Sequence, residues 1–276
     1  MLTDYHVHLR PDQEGTVARD WFTAANAERY RRAATERGIT ELGVSEHVHR
    51  FTQALDVWQH PFWRRWARDD LDAYAQFVRE ETDLRLGLEL DYVAGREDRL
   101  ANLVDRHEWD YVIGSVHFVG DFAMDLDDEH DIWRRASSPE QVWERYFATL
   151  AEAARSGLYD IMAHPDLVKV WGSARPAPDR DPRRYYEPAV EAFAEAGVAV
   201  ELSTAGLRKP VGELYPSRAF LEMVVDAGCP IALSSDAHTP DHLGFGYDRA
   251  LEALSDAGIT EIAVFERRRR RLEPAG

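Results

Sequence analysis

The sequence predicts an α/β protein whose parallel strands curl into a barrel, and three observations carry that prediction. Short apolar strand patterns alternate with amphipathic helix patterns along the whole chain, which makes βαβ units and a parallel sheet. Crossovers between parallel strands are right-handed, so seven or eight such units tend to close on themselves. Strand after strand ends in histidine, glutamate or aspartate, at the end of the barrel where the active sites of such folds lie. No linker, repeat or shift in composition divides the 276 residues, which read as a single domain with 45% hydrophobic content for its core.

Residues 2–9 open the chain as a strand, with apolar and aromatic side chains interleaved with His6 and His8 until Arg10-Pro11 breaks it. Alternation sends residues i and i+2 to one side, so the two imidazoles point the same way. A helix over 20–37 ends at Gly38, and a strand over 41–45 runs into Glu46-His47-Val48-His49. The stretch 51–66 is irregular and rich in tryptophan. It reads either as a cover packed on the barrel rim or as a lid over the site. Helix 69–81 leads to strand 84–90, which carries Glu89, and helix 97–106 leads to strand 111–117, which ends at His117. Ser138-Pro139-Glu140-Gln141 opens the longest helix with proline at its first position and a capping box. That helix stops near Gly157, and strand 159–163 ends in His164-Pro165-Asp166. Three prolines mark 175–182 as a loop. Helix 185–196 stops at Gly197, strand 198–202 follows, and Ser203 to Lys209 forms its C-terminal loop. A helix to Ala227, strand 231–235 with Asp236-Ala237-His238 at its end, a helix over 248–256 and a strand over 261–265 complete the series.

Lys and Arg total 33 against 50 Asp and Glu, a net charge of −17 that repels phosphate backbones and argues against nucleic acid as a partner. The same field suits an enzyme that gathers divalent cations. No apolar run approaches the roughly 18 residues of a membrane span, and strand character from Leu2 leaves no room for a secretory leader. The single cysteine, Cys229, rules out an internal disulfide and fits a cytoplasmic location. The arginine run 267–271 is expected to be a solvated face.

The strand ends supply His6, His8, His47, Glu89, His117, His164, Asp236 and His238, and six of the eleven histidines sit there. Histidines scattered at random would fall mostly on helices and loops. Their convergence predicts a metal centre, and imidazole with carboxylate but no thiolate suits zinc, manganese or iron. One ion accepts about four to six ligands, so two or three divalent ions are implied, with Glu89 or Asp236 bridging.

His6-x-His8, Ser45-Glu46-His47, Gly87-x-Glu89, Gly114-Ser115-Val116-His117, Ala163-His164-Pro165-Asp166 and Ser235-Asp236-Ala237-His238 together resemble the motifs of the polymerase and histidinol phosphatase (PHP) family, in the same order. Gly114 to Phe118 and Thr204 to Lys209 resemble its histidinol-phosphatase branch in particular. The resemblance implies a distorted seven-stranded (β/α) barrel holding a trinuclear centre. It puts His6, His8, Glu89 and Asp236 on one ion, Glu89, His117 and His164 on a second, and His47 with His238 on a third. Many relatives carry a histidine where this chain has Glu14, so Glu14 is the expected carboxylate at the third ion. The implied reaction is hydrolysis of a small phosphomonoester by a metal-activated bridging hydroxide. Histidinol phosphate, an intermediate of histidine biosynthesis, is the first candidate.

Clustered ions favour that chemistry because they lower the pKa of a bound water and screen the phosphoryl oxygens. The remaining phosphoryl charge calls for a cation. Arg208, in a glycine-containing strand-end loop, is expected to fork the phosphate, with Lys209 beside it. Asp236 and Arg208 are thus the expected catalytic residues. Asp91 and Asp125 are loop acids placed to hold a substrate ammonium or simply solvated. Three other readings compete. A related phosphoesterase would differ only in substrate. An amidohydrolase-like hydrolase also begins with His-x-His but usually adds a metal-bridging lysine. A non-catalytic metal-binding module should have lost ligands, and here they are intact. The sequence leaves the oligomeric state open.

Overall fold

The computed structural model describes all 276 residues. Seven strands lie parallel and in chain order: β1 (Thr3–Asp4), β2 (Glu41–His47), β3 (Arg85–Asp91), β4 (Tyr111–Ser115), β5 (Ile161–Met162), β6 (Ala199–Ser203) and β7 (Ile231–Ser234). The ring closes through one parallel bridge between Val7 and Ala237. There Ala237 N–H donates to His6 O at 3.0 Å and His8 N–H donates to Ala237 O at 2.8 Å. Both β1 and β5 pair over only two residues, so the barrel is distorted as well as seven-stranded.

The strand expected over 261–265 does not join the barrel. Glu261–Glu266 (β8) turns back on Arg269–Pro274 (β9) as an antiparallel hairpin. Its Ala263, Val264 and Phe265 pack with Tyr5, Tyr111, Ile113 and Ala232 to fill the N-terminal end of the barrel. Tyr111 lies across this interior above two glycines. A Cβ at Gly43 or Gly87 would stand 2.2 or 2.3 Å from Tyr111 atoms, and the Tyr111 hydroxyl donates to Tyr5 O at 2.6 Å. The arginine run forms the hairpin turn and outer strand. Arg267 N–H donates to Asp110 at 3.1 Å and Arg268 Nε to Asp160 at 2.8 Å, which tethers the turn, while the other arginine side chains stay exposed as expected.

Local chemistry accounts for most helix ends. The helix expected over 20–37 is two pieces, Ala18–Trp21 and Ala24–Glu36, because Thr23 accepts the Asn26 N–H at 3.2 Å and starts a new helix. Pro139–Arg155 begins at Ser138, whose Oγ accepts from Gln141 N–H at 3.3 Å. The Gln141 side chain accepts from Ser137 N–H at 2.9 Å instead of Ser138 N–H, so the box closes one residue early. Gly197 ends Arg183–Ala196 in the left-handed conformation that glycine adopts freely. Within 51–66, Thr52–Asp56 forms a 3₁₀ turn and Pro61–Trp66 a helix. Trp63 is fully buried there. No helix is long and apolar enough to cross a membrane.

Candidate metal centre

The C-terminal ends of six barrel strands deliver the ligand set. His6 and His8 follow β1, His47 ends β2, Glu89 lies in β3, His117 follows β4, His164 follows β5, and Asp236 and His238 follow β7. Glu89 is the hub. Its Oε1 is faced by His6 Nε2 and His164 Nε2 at 3.3 Å and by His117 Nε2 at 3.5 Å. Its Oε2 meets His8 Nε2 at 3.6 Å and also His47 Nδ1. Asp236 Oδ1 is the second centre, 3.4 Å from His8 Nε2, 3.5 Å from His238 Nδ1 and 3.7 Å from His6 Nε2. Four compact sets emerge: His6–His8–Asp236, His6–Glu89–His164, His47–Glu89–His117 and His8–His47–His238.

A cation fits this arrangement better than protons do. Buried His6 Nε2, both nitrogens of His8, His164 Nδ1 and Asp236 Oδ1 have no hydrogen-bond partner in the protein. Buried polar atoms left that way cost about 1–3 kcal/mol each. Burial alone would raise Glu89, but the imidazoles around it, His47 first, hold it well below the usual carboxylate range. Asp236 is likewise driven down against burial by His6 and His238. Burial pushes His8 well down, and His47 and His238 add to it, so the cluster cannot be satisfied by protonating every ring. Divalent ions would supply the positive charge and accept the free lone pairs.

The profile described as "PHP domain" matches residues 21–205. A Deinococcus radiodurans protein named "Probable histidinol-phosphatase" is 32% identical over 251 residues, 89% of this chain and 91% of its own length. The chain belongs to the PHP family. A Bacillus subtilis protein named histidinol-phosphatase is 29% identical over 188 residues, 63% of this chain and 70% of its own. The fold also matches that of histidinol phosphate phosphatase from Lactococcus lactis, solved with zinc, L-histidinol and phosphate. That similarity has a TM-score of 0.69, covers 98% of each chain and carries 19% identity.

Around the centre of this PHP chain, several expected residues take other places. Glu14 is on the surface, paired with Arg65 at 2.7 Å, because the turn after Pro11 carries it away from the ligands. Asp12 points inward instead. Its Oδ2 lies 2.7 Å from His238 Nε2 and 3.7 Å from His47 Nε2, while Arg50 grips its other oxygen. Asp91 is neither a solvated acid nor free for an ammonium. It is buried and accepts from His117 Nδ1 at 2.6 Å and Ser115 Oγ at 3.2 Å. The sequence also gave no notice of Glu201, which accepts from His6 Nδ1 at 2.8 Å. Its only signal was an acid inside a strand otherwise apolar up to Ser203.

Two ligands have unusual backbones. His164 (φ 23°) and Asp236 (φ 52°) both occupy the left-handed region, at a cost of order 1–3 kcal/mol for non-glycine residues. Glu201 accepts the His164 N–H at 2.5 Å. Arg208 Nη2 donates to Ser235 O at 2.7 Å and to Asp236 O at 2.8 Å. The guanidinium expected to fork a phosphate thus already spends one nitrogen on the ligand loop. Its Nη1 is buried with no protein partner.

Above the ligands lies a cavity of about 280 Å³. Phe62, Trp66, Phe118 and Tyr215 wall it, with His49, Asp125 and Lys209 among its polar lining. The 51–66 stretch therefore serves both expectations, since Trp63 packs in the core while Phe62 and Trp66 face the cavity.

Proposed function

We propose that this protein hydrolyses histidinol phosphate to histidinol and phosphate with two or three divalent ions, zinc first among them. The observation that carries the reading is Glu89, ringed by five imidazole nitrogens on the floor of a small aromatic-walled cavity. Relatives of similar length bear the histidinol-phosphatase name, and the Lactococcus lactis neighbour holds zinc, histidinol and phosphate. His6, His8, His47, Glu89, His117, His164, Asp236 and His238 would hold the ions, with Asp12 in place of Glu14 beside His47 and His238. When bound, those ions activate water and screen the charge of the phosphoryl group.

The remaining work falls to the chain itself. Glu89 and Asp236 stay ionised and bring their negative charge to the centre. Arg208 Nη1 and the Lys209 ammonium supply donors for phosphoryl oxygens at the rim of the ligand cluster. Phe62, Trp66, Phe118 and Tyr215 exclude water and offer faces on which a flat imidazole can lie. Asp125 gives the substrate ammonium a partner of opposite charge. A cavity of this size suits a small monoester, and with the net charge of −17 it argues against a nucleic-acid substrate.

An amidohydrolase reading fails on its lysine. The chain has two lysines, and neither joins the ligands: Lys169 pairs with Asp166 and Glu213 at 3.0 and 3.1 Å, and Lys209 is exposed. The test is phosphate release from a panel of phosphomonoesters by protein loaded with zinc, manganese or iron. Histidinol phosphate should have the highest kcat/KM. Equal or faster turnover of unrelated esters would assign a different substrate.

A further inference from the structure

Glu201 is a buried acid that does not line the cavity and is not one of the candidate ligands. Three donors converge on it. Its Oε1 accepts from His6 Nδ1 at 2.8 Å and from Ser234 Oγ, and its Oε2 accepts from the His164 backbone N–H at 2.5 Å. His6 and His164 are the two imidazoles that face Glu89 Oε1 at 3.3 Å, and with Glu89 they form one compact set. One carboxylate therefore touches both histidines of that set from behind. It reaches one through the ring and the other through a backbone held at φ 23°.

We propose that Glu201 is a positioning residue that sets two ligands of one metal subsite at once. Its Oε1 fixes His6 as the Nδ1–H tautomer, which leaves Nε2 free for an ion. Its Oε2 holds the His164 main chain in the left-handed turn that aims the ring at the same place. This rests on the metal-dependent reading above. A carboxylate behind a ligating imidazole tunes metal affinity by about 10–100-fold. Here the effect reaches two ligands through a side chain that makes only acceptor contacts.

That last property gives a sharp test. Glu201→Gln is nearly isosteric but turns one acceptor oxygen into a donor, so either His6 or His164 loses its partner whichever way the amide lies. In chelator-stripped protein, competition against a chromophoric chelator should show zinc affinity lowered by about 10–100-fold for one ion. The count bound in limiting zinc should fall by one, while the melting temperature of the metal-free protein falls by less than that of the loaded protein. Glu201→Asp keeps both oxygens but withdraws them by one methylene. It should show the same kind of loss, and it carries the test where the glutamine variant does not fold. Wild-type affinity and count in these variants would overturn the proposal. A metal-free melting temperature that drops as far as the loaded one would also overturn it, by making Glu201 a residue of the fold. Wild-type protein that takes up no zinc would instead overturn the metal-dependent reading beneath it.

Discussion

Arg208→Ala separates the loop contact that the structure gives this side chain from the phosphate contact proposed for it. Nη2 bridges the carbonyls of Ser235 and Asp236 at 2.7 and 2.8 Å, which steadies the loop bearing a central ligand. Nη1 is buried with no protein partner, and on the proposed reading it would meet a phosphoryl oxygen. A hydrogen bond from a charged donor contributes about 1.5–3 kcal/mol. The two carbonyl bonds share one nitrogen on a partly exposed group, so the clamp is set at about 2 kcal/mol, the lower part of that range. Losing a charged contact that strengthens in the transition state costs about 2–4 kcal/mol. At about 1.36 kcal/mol per decade, this is about a 30- to 1000-fold loss of kcat/KM. Steady-state phosphate release from histidinol phosphate measures it, and thermal unfolding in the same buffer measures the clamp. Arg208→Lys should recover only part, because an ammonium cannot bridge two carbonyls and present a second nitrogen together. A loss under about threefold would refute the phosphate role. An unchanged melting temperature would refute the clamp.

Removing metal with a chelator should abolish turnover and lower the melting temperature by about 5–10 °C. Binding at 100 times Kd contributes about 2.7 kcal/mol per site, and about 2–4 °C accompanies each kcal/mol in a chain near this size. A melting temperature indifferent to chelator would sink the metal centre. Asp12→Asn should lower metal occupancy by elemental analysis, whereas Glu14→Gln should leave occupancy and rate within about twofold, since a surface pair contributes about 0–1 kcal/mol. The reverse pattern would restore Glu14 to the site. Gly87→Ala should destabilise the protein by about 1–3 kcal/mol, because its new Cβ would stand 2.3 Å from the Tyr111 ring. Calorimetry showing no change would mean that Tyr111 can move aside.

The convergence of the eight strand-end residues was legible because a barrel presents its strand ends at one mouth and a strand sends His6 and His8 to one side. Sequence spacing carries that much. It does not carry the path of the chain after Pro11. There Arg50, 38 residues beyond Asp12, grips that acid beside the histidines while the turn sends Glu14 out to Arg65. Glu201 and Asp91 escaped for a different reason. Each works on a histidine supplied by another strand, so its meaning appears only once the sheet is assembled. The last strand misled because the short apolar run Ile262 to Phe265 fits a barrel member and a plugging hairpin equally well.

That plug has a kinetic consequence. With Tyr5, Tyr111 and Phe265 filling the far end, the barrel is a blind well with one opening. On the proposed reading, substrate would enter and both products leave by the same opening. A phosphoryl group held by ions at the floor would lie beneath the alcohol portion, so the alcohol would clear the aromatic mouth before phosphate follows. Release would then be ordered. Inorganic phosphate, last out, would compete with incoming ester, while added alcohol would not compete for the emptied well. The pattern of product inhibition thus reports on the closed end of the barrel, a region no reacting atom touches.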